Sequence, residues 1–213
     1  RRRRHIGGMV MPVSKQDLER IVVAIEAVER RTSGEIVCVL ARASSSYAYV
    51  PVLWAAAIAL TAPWPLIAFT GLSAAHIYGV QIAVFFALGA LLSIPAIRFA
   101  LVPRQARRAR AHRAALHQFF TRRVSRTWHQ NGVLIYVSLA ERYARIIADD
   151  GIAARTPPED WQAAVDRLTA SIRAGAIGDG FVAAIDLCGE HLIRHFPDAS
   201  DNPNELPNRL ILI

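Results

Sequence analysis

The sequence predicts an α/β fold, a small mixed sheet between helices, into which a two-helix transmembrane hairpin is inserted. The chain has 213 residues and a formal net charge of +8, yet no Asp, Glu, Lys or Arg lies between Ala43 and Ile97. One strand pattern precedes this uncharged block and two follow it. Because a lone strand leaves its backbone groups unpaired, the first strand must pair with the later ones. The hairpin is therefore an insertion within one domain, and the composition excludes a disordered chain, a wholly soluble one and a polytopic transporter.

The elements before the hairpin are one helix and one strand. Residues 1–12, which begin with four arginines, are expected to form a disordered basic N-terminus. Apolar side chains recur every three or four residues through Val13–Arg31, which predicts a helix with Ser14 as its N-cap. Glu35–Ala41 is rich in β-branched and apolar residues and predicts a buried strand.

Residues 50–102 are predicted to form the transmembrane hairpin, and residues 13–49 and 103–213 the discontinuous α/β domain. Two apolar stretches, 50–70 and 77–102, each supply the roughly 20 residues that cross a hydrocarbon core. Pro63 and Pro65 predict that the first helix kinks or ends near Ala62. The alternative is a pair of buried core helices, which a soluble domain of this size could hardly cover.

The distribution of arginines predicts the orientation of the hairpin. Segment 98–126 carries nine Arg and no acidic residue, whereas the turn 71–76 carries no basic residue. The positive-inside rule then places the α/β domain in the cytoplasm and the protein in the inner (cytoplasmic) membrane, with two spans. Membrane lipids are the expected partners of the arginines. Other membrane proteins are the expected partners of the protein, and nucleic acid is not expected.

The elements after the hairpin alternate between helices and strands. Gly175–Gly180 is interpreted as a linker, and the tail after Pro197 as a loop. The predicted elements are a helix at Gln105–Thr127, strands at Val133–Leu139 and Tyr143–Ala148, a turn at Asp149–Gly151, and helices at Glu159–Arg173 and Gly180–His195.

Several short motifs resemble the TPM-domain family. They are Thr32–Ile36 (TSGEI), Asn131–Ser138 (NGVLIYVS) followed by Glu141-Arg142, Ala148–Ile152 (ADDGI), and a C-terminal Asn204–Asn208 (NELPN). The chain most resembles the bacterial TPM membrane proteins whose transmembrane hairpin follows the first strand. This resemblance implies a sandwich with a small sheet between helices. Proteins of this family are described as acid phosphatases, as calcium-binding proteins and as factors in photosystem repair, so the resemblance makes these activities candidates for this chain.

The candidate metal ligands are Glu35, Asp149 and Asp150, which lie at predicted strand ends. Carboxylates at strand ends can gather a cation such as calcium, and the resemblance ties this loop to metal and phosphate binding. The alternative is a solvated turn. The tail also contains hard oxygen donors that could bind calcium, and the alternative is a polar segment that folds back on the domain. The donors are Asp198, Asp201, Asn202, Asn204 and Glu205.

No catalytic constellation and no cofactor site are predicted. His191 and His195 lie one helical turn apart, but Leu192 stands where a zinc-protease helix has Glu, so they are interpreted as a solvated helix face. Ser138 lies in a strand pattern without a nucleophile elbow. Two classes of function remain: a membrane-anchored module for partner binding or membrane-protein quality control without chemistry of its own, or a cation-dependent, acid-phosphatase-like hydrolase.

Overall fold

The computed structural model describes residues 5–6, 9–10, 13–127, 130–197 and 205–213. The chain forms two compact units. The α/β unit comprises Arg1–Ser44 and Arg110–Ile213, and the hairpin unit comprises Ser45–Ala109. Most of the segment predicted to be disordered lies outside the described residues. Within it the structure gives a minimal antiparallel pair, β1 (His5–Ile6) and β2 (Met9–Val10).

The α/β unit is built on a four-stranded mixed sheet in the order β5-β4-β3-β6. Strand β3 pairs in parallel with β4, with Glu35 opposite Gly132, and in parallel with β6, with Cys38 opposite Leu210. Strand β4 pairs antiparallel with β5. The predicted pairing of the first strand across the insertion is thus confirmed. The strands are β3 (Glu35–Ala41), β4 (Gly132–Ser138), β5 (Tyr143–Ala148) and β6 (Leu210–Leu212).

Helices cover both faces of this sheet, which confirms the predicted α/β class. All seven residues of β3 are buried, and alternate side chains enter two different cores, as the pleat of a strand requires. Ile36, Cys38 and Leu40 pack in one core with residues of α1, α8 and α9. Val37 and Val39 pack in the other with residues of α6. These helices are α1 (Lys15–Glu29), α6 (Arg104–Thr121), α8 (Pro158–Arg173) and α9 (Ile177–His195).

Local sequence explains where several helices begin and end. The Ser14 side chain accepts a hydrogen bond from the Asp17 N–H and caps α1, as predicted. Helix α6 ends at Thr121, six residues before its predicted end, and a 3₁₀ turn at Val124–Arg126 follows it. Arg123, between the two, has a φ of 59°, a left-handed conformation that cannot continue an α-helix.

Two predictions for the C-terminal third of the chain were wrong. Gly175–Gly180 is not a linker throughout, because α9 already begins at Ile177. A Cβ atom on Gly178 would lie 2.5 Å from Asp17 Cγ, so this glycine allows α9 to approach α1. The tail is not loop throughout either, because Leu210–Leu212 forms the edge strand β6.

The hairpin unit contains four complete helices and the first turns of α6. The complete helices are α2 (Tyr49–Thr61), α3 (Pro63–Phe69), α4 (Ala74–Leu92) and α5 (Pro95–Leu101). The predicted break near Ala62 separates α2 from α3. The second predicted stretch, 77–102, is also divided, because Pro95 cannot donate a helical hydrogen bond and begins α5 instead. By length and composition, two segments are apolar enough to cross a membrane: α2 with α3, Tyr49–Phe69, and α4, Ala74–Leu92.

Candidate functional site

The predicted strand-end residues lie along one edge of the sheet. Strands β3 and β4 begin at this edge and β5 ends there. Glu35 is opposite Gly132, and the Asp149 N–H donates a 2.9 Å hydrogen bond to the Gly132 carbonyl. Glu35 and Asp149 therefore flank Gly132. The usual strand spacing puts their backbones about 10 Å apart.

Glu35 is a buried carboxylate whose oxygens contact backbone amides. Its side chain accepts hydrogen bonds from the N–H groups of Glu205 (3.2 Å) and Leu206 (3.1 Å), and the residue is only 2% exposed. Burial raises the pKa of Glu35, while the two N–H donors act in the opposite direction. Glu35 therefore fixes the segment that leads into β6.

Glu29, in the last turn of α1, is a second carboxylate close to Glu35 that the sequence analysis missed. Its Oε1 accepts a 2.9 Å hydrogen bond from the Ile36 N–H, the residue next to Glu35. Burial, with a smaller contribution from the charge of Glu35, raises the pKa of Glu29 to about 8. The available signal was its position four residues after Ile25, on the buried stripe of an amphipathic helix.

Asp149 and Asp150 begin a short helix, α7 (Asp150–Ala153), where the sequence predicted a turn. Asp149 is its N-cap, and its Oδ1 accepts a 2.9 Å hydrogen bond from the Asp150 N–H. Asp149 is 7% exposed, and its Oδ2 has no hydrogen-bond partner among the described residues. Burial raises the pKa of Asp149, and the neighbouring Asp150 adds to the effect. Asp150 itself is exposed.

The structure brings Asp149 and Asp150 together but leaves Glu35 across Gly132 from them. In the described part of the chain, no group of three or more His, Cys, Asp or Glu side chains is arranged to hold a metal ion. The metal role of these three residues stays a prediction. Of the oxygen donors noted in the tail, only Glu205 is among the described residues, and its N–H contacts Glu35.

The two histidines of α9 lie on its partly exposed side. His191 packs against the Trp161 ring, with 5.7 Å between ring centroids, and its Nδ1 is 3.7 Å from Asp160 Oδ2. Both contacts are to α8. The sequence predicted a solvated helix face, but His191 contributes to the packing of α8 on α9.

A second buried polar cluster lies at the carboxyl ends of β3 and β4. The Glu141 carboxylate accepts hydrogen bonds from the Ser44 N–H, at 3.1 and 3.0 Å, and from the Ser138 hydroxyl. The Ser44 and Tyr136 hydroxyls are 2.9 Å apart, and burial raises the pKa of Tyr136. Because Ser138 is fully buried and its hydroxyl donates to a carboxylate, the role of this hydroxyl is structural. The cluster fixes the chain at the end of β3, one residue before the hairpin unit begins.

Comparisons with known proteins agree with this architecture. Residues 96–191 match the family model of the TPM domain. The NMR structure of the BA42 protein from the psychrophilic bacterium Bizionia argentinensis is similar, with a TM-score of 0.60 and 20% sequence identity over 94% of this chain and 95% of that one. At this identity the likeness concerns the fold. No curated protein sequence matches the chain. Residues 96–191 are therefore similar to the TPM domain, and the chain shares its fold with the BA42 structure.

Proposed function

We propose that this protein is a membrane-anchored TPM-domain module that binds other membrane proteins, or assists their quality control, without chemistry of its own. The observation that carries the proposal is the hairpin unit. Its segments Tyr49–Phe69 and Ala74–Leu92 have 21 and 19 residues, and α4 has no buried residue at all. At 1.5 Å per residue each segment is about 30 Å long, which matches the hydrocarbon core of a bilayer.

The charge distribution supports an inner-membrane protein whose α/β unit is on the cytoplasmic side. The turn between α3 and α4 contains no charged residue, whereas Arg98 lies six residues beyond the end of α4 and further arginines follow in α6. Short loops rich in arginine stay on the cytoplasmic side. Both connections of the hairpin to the α/β unit therefore belong on that side.

Two features of the α/β unit favour partner binding over catalysis. The carboxylates of Glu35 and Glu141 accept hydrogen bonds from backbone N–H groups and hold the chain in place. Two large apolar side chains, Val23 of α1 and Phe120 of α6, are 60% and 63% exposed and are available for contact with another protein.

The orientation is tested by labelling single cysteines in intact cells. In a chain whose buried Cys38 and Cys188 are replaced by Ala, one variant carries Ser73→Cys in the hairpin turn and its matched control carries Arg173→Cys in α8. We expect an impermeant maleimide to label position 73 in intact cells and position 173 only after lysis. The opposite pattern would overturn the orientation. Protection of both positions in intact cells, or labelling of both, would overturn a hairpin that crosses the membrane.

Partner binding is tested by a photo-crosslinking amino acid at Val23 or Phe120, with the exposed Arg167 as the control position. We expect crosslinks to discrete membrane proteins from Val23 or Phe120 in native membranes, and none of them from Arg167. Equal crosslinking from all three positions would contradict a specific binding surface.

A second candidate is a cation-dependent, phosphatase-like hydrolase, which one observation favours. Asp149 presents a buried Oδ2 without a hydrogen-bond partner among the described residues, directly beside Asp150. A carboxylate oxygen of this kind could contact a cation, and the name of the matched family model refers to phosphatases.

The two candidates are separated by calcium binding and turnover. A ligand that binds only the folded state raises the melting temperature. We expect no calcium-dependent rise at millimolar calcium, and background hydrolysis of a phosphomonoester. A calcium-dependent rise, or turnover, that is lost in Asp149→Asn/Asp150→Asn but kept in the control Asp166→Asn would establish the hydrolase instead.

A further inference from the structure

The hairpin unit contains cations but no anions of its own. Between Ser45 and Ala109 the sequence has four arginines, Arg98, Arg104, Arg107 and Arg108, and no Asp or Glu. All four lie within the 16 residues that follow the end of α4 at Leu92. No carboxylate of the same unit can neutralise them, so their counter-ions must come from elsewhere.

In two of these guanidinium groups the Nε atom lacks a hydrogen-bond acceptor among the described residues. They are the buried Nε atoms of Arg98 and Arg107. The Arg98 guanidinium also lies over the Phe99 ring, 5.6 Å from its centroid. A buried N–H donor without an acceptor is costly, and Arg98 and Arg107 also carry positive charges that no carboxylate of their own unit balances.

The other two arginines extend the same charged segment at the start of α6. Arg104 and Arg108 are exposed and lie one helical turn apart, so their side chains are neighbours on the helix surface. The planar guanidinium group donates two parallel hydrogen bonds to phosphate oxygens, which a lysine cannot do. Four such groups directly after an apolar helix are the pattern that binds acidic headgroups at a membrane surface.

We propose that Arg98, Arg104, Arg107 and Arg108 bind the phosphate groups of anionic phospholipids in the leaflet where α4 ends. This inference rests on the proposed membrane anchor and adds the class of lipid that contacts it. The occupant is a lipid because the cluster begins six residues after a segment of membrane-spanning length. At that place headgroup phosphate is far more concentrated than any soluble anion.

The test uses the full chain in phosphatidylcholine bilayers that contain trace spin-labelled phosphatidylglycerol or phosphatidylcholine. Electron paramagnetic resonance measures the fraction of each lipid whose motion the protein restricts, and hence their relative association constant. We expect phosphatidylglycerol to be preferred about fourfold, and 1 M salt to reduce the preference to about twofold or less.

Variants assign this preference to the four arginines. With all four changed to Gln, we expect the relative association constant to fall to about 1. With all four changed to Lys, which keeps the charge, it should stay above about 2. The control changes four exposed arginines of the α/β unit to Gln and should leave the preference unchanged: Arg142, Arg167, Arg173 and Arg194.

The outcomes distinguish this inference from the proposed anchor. Absence of any motionally restricted lipid would overturn the membrane anchor and the inference with it. Restricted lipid without preference for phosphatidylglycerol would overturn the inference alone. An equal loss of preference in the control would also overturn it, because net charge and not this cluster would then attract the lipid.

Discussion

Helices α4 and α9 both have 19 residues, but they are built for different surroundings. Helix α4 has no buried residue, whereas α9 buries eight, including Phe181, Cys188 and Leu192. The opposite side of α9 carries Asp179 and Glu190, while α4 has no charged residue on any side. An amphipathic helix finds its cover within the protein, and a helix that is apolar all round must find it elsewhere. Apolar content alone therefore does not indicate burial in a core.

The largest test of this comparison removes one phenylalanine from each helix. Phe181 is fully buried, so Phe181→Ala should lower the free energy of unfolding of the α/β unit by about 3–5 kcal/mol. Phe86 is 68% exposed, and Phe86→Ala should change that free energy by less than about 0.5 kcal/mol. Urea-dependent pulse proteolysis in detergent micelles measures both. Equal losses would mean that α4 belongs to the same cooperative core as α9.

Two glycines, one in α9 and one in α4, test the same comparison. A Cβ atom on Gly189 of α9 would lie 2.6 Å from Val28 Cγ2, so Gly189→Ala should force α1 and α9 apart and destabilise the unit by about 1–3 kcal/mol. A Cβ atom on Gly89 of α4 would meet nothing within 4 Å. Gly89→Ala should therefore be neutral in the same assay, and a comparable loss there would contradict the exposed surface of α4.

The two units should also differ in their response to pH, because every carboxylate side chain lies outside the hairpin unit. In the folded state the pKa of Glu29 rises from 4.5 to about 8, so the unfolded chain releases this proton first. The contribution of Glu29 to stability is therefore fully present below pH 4.5 and is lost as the pH rises towards 8.

Glu29→Gln should remove this pH dependence. The amide oxygen can still accept a hydrogen bond from the Ile36 N–H. The free energy of unfolding of the variant should therefore equal that of the wild type near pH 4 and exceed it by about 1–3 kcal/mol near pH 9. Urea unfolding at a series of pH values measures the difference between the two curves. A constant difference across the series would show that Glu29 does not titrate as its burial requires.

The smallest effect is expected from deleting residues 50–102 and joining the flanks with a Gly/Ser linker. Every strand of the sheet and the helices α1, α8 and α9 lie outside the deletion, and changing the length of a loop costs little entropy. The free energy of unfolding should stay within about 1 kcal/mol of that of the full chain. A molten or aggregated product with several linker lengths would refute an insertion into an otherwise complete domain.

Much of the fold could be predicted because local pattern and a simple pairing requirement agree. The bounds of β3 and β5 match their apolar and β-branched runs, and β3 needed later partners. Strand β6 was missed because it has three residues and depends on β3 for its structure. The only available signal was the uninterrupted apolar run Leu210–Ile213. The early start of α9 was missed because its glycines serve contacts with α1, which no local pattern reveals.

The candidate site was harder to predict because its carboxylates acquire their roles from distant parts of the chain. Glu35 was placed correctly at a strand end, but its partners are backbone amides 170 residues away. Glu141 was quoted only as part of a motif, yet it holds Ser44 from 97 residues away. Sequence spacing can place a carboxylate at an edge, but it cannot tell whether its oxygens contact backbone N–H groups or are available to a ligand.

The central position of β3 sets an order of events during synthesis. Both of its neighbours, β4 and β6, are made after the hairpin, and β4 begins about 90 residues after β3 ends. At the usual rate of translation this gap lasts roughly 5–20 s. During that time seven residues destined for burial have no partner strand. The sheet therefore cannot assemble until the hairpin is complete, and a chain stalled at this stage would expose an apolar strand prone to aggregation.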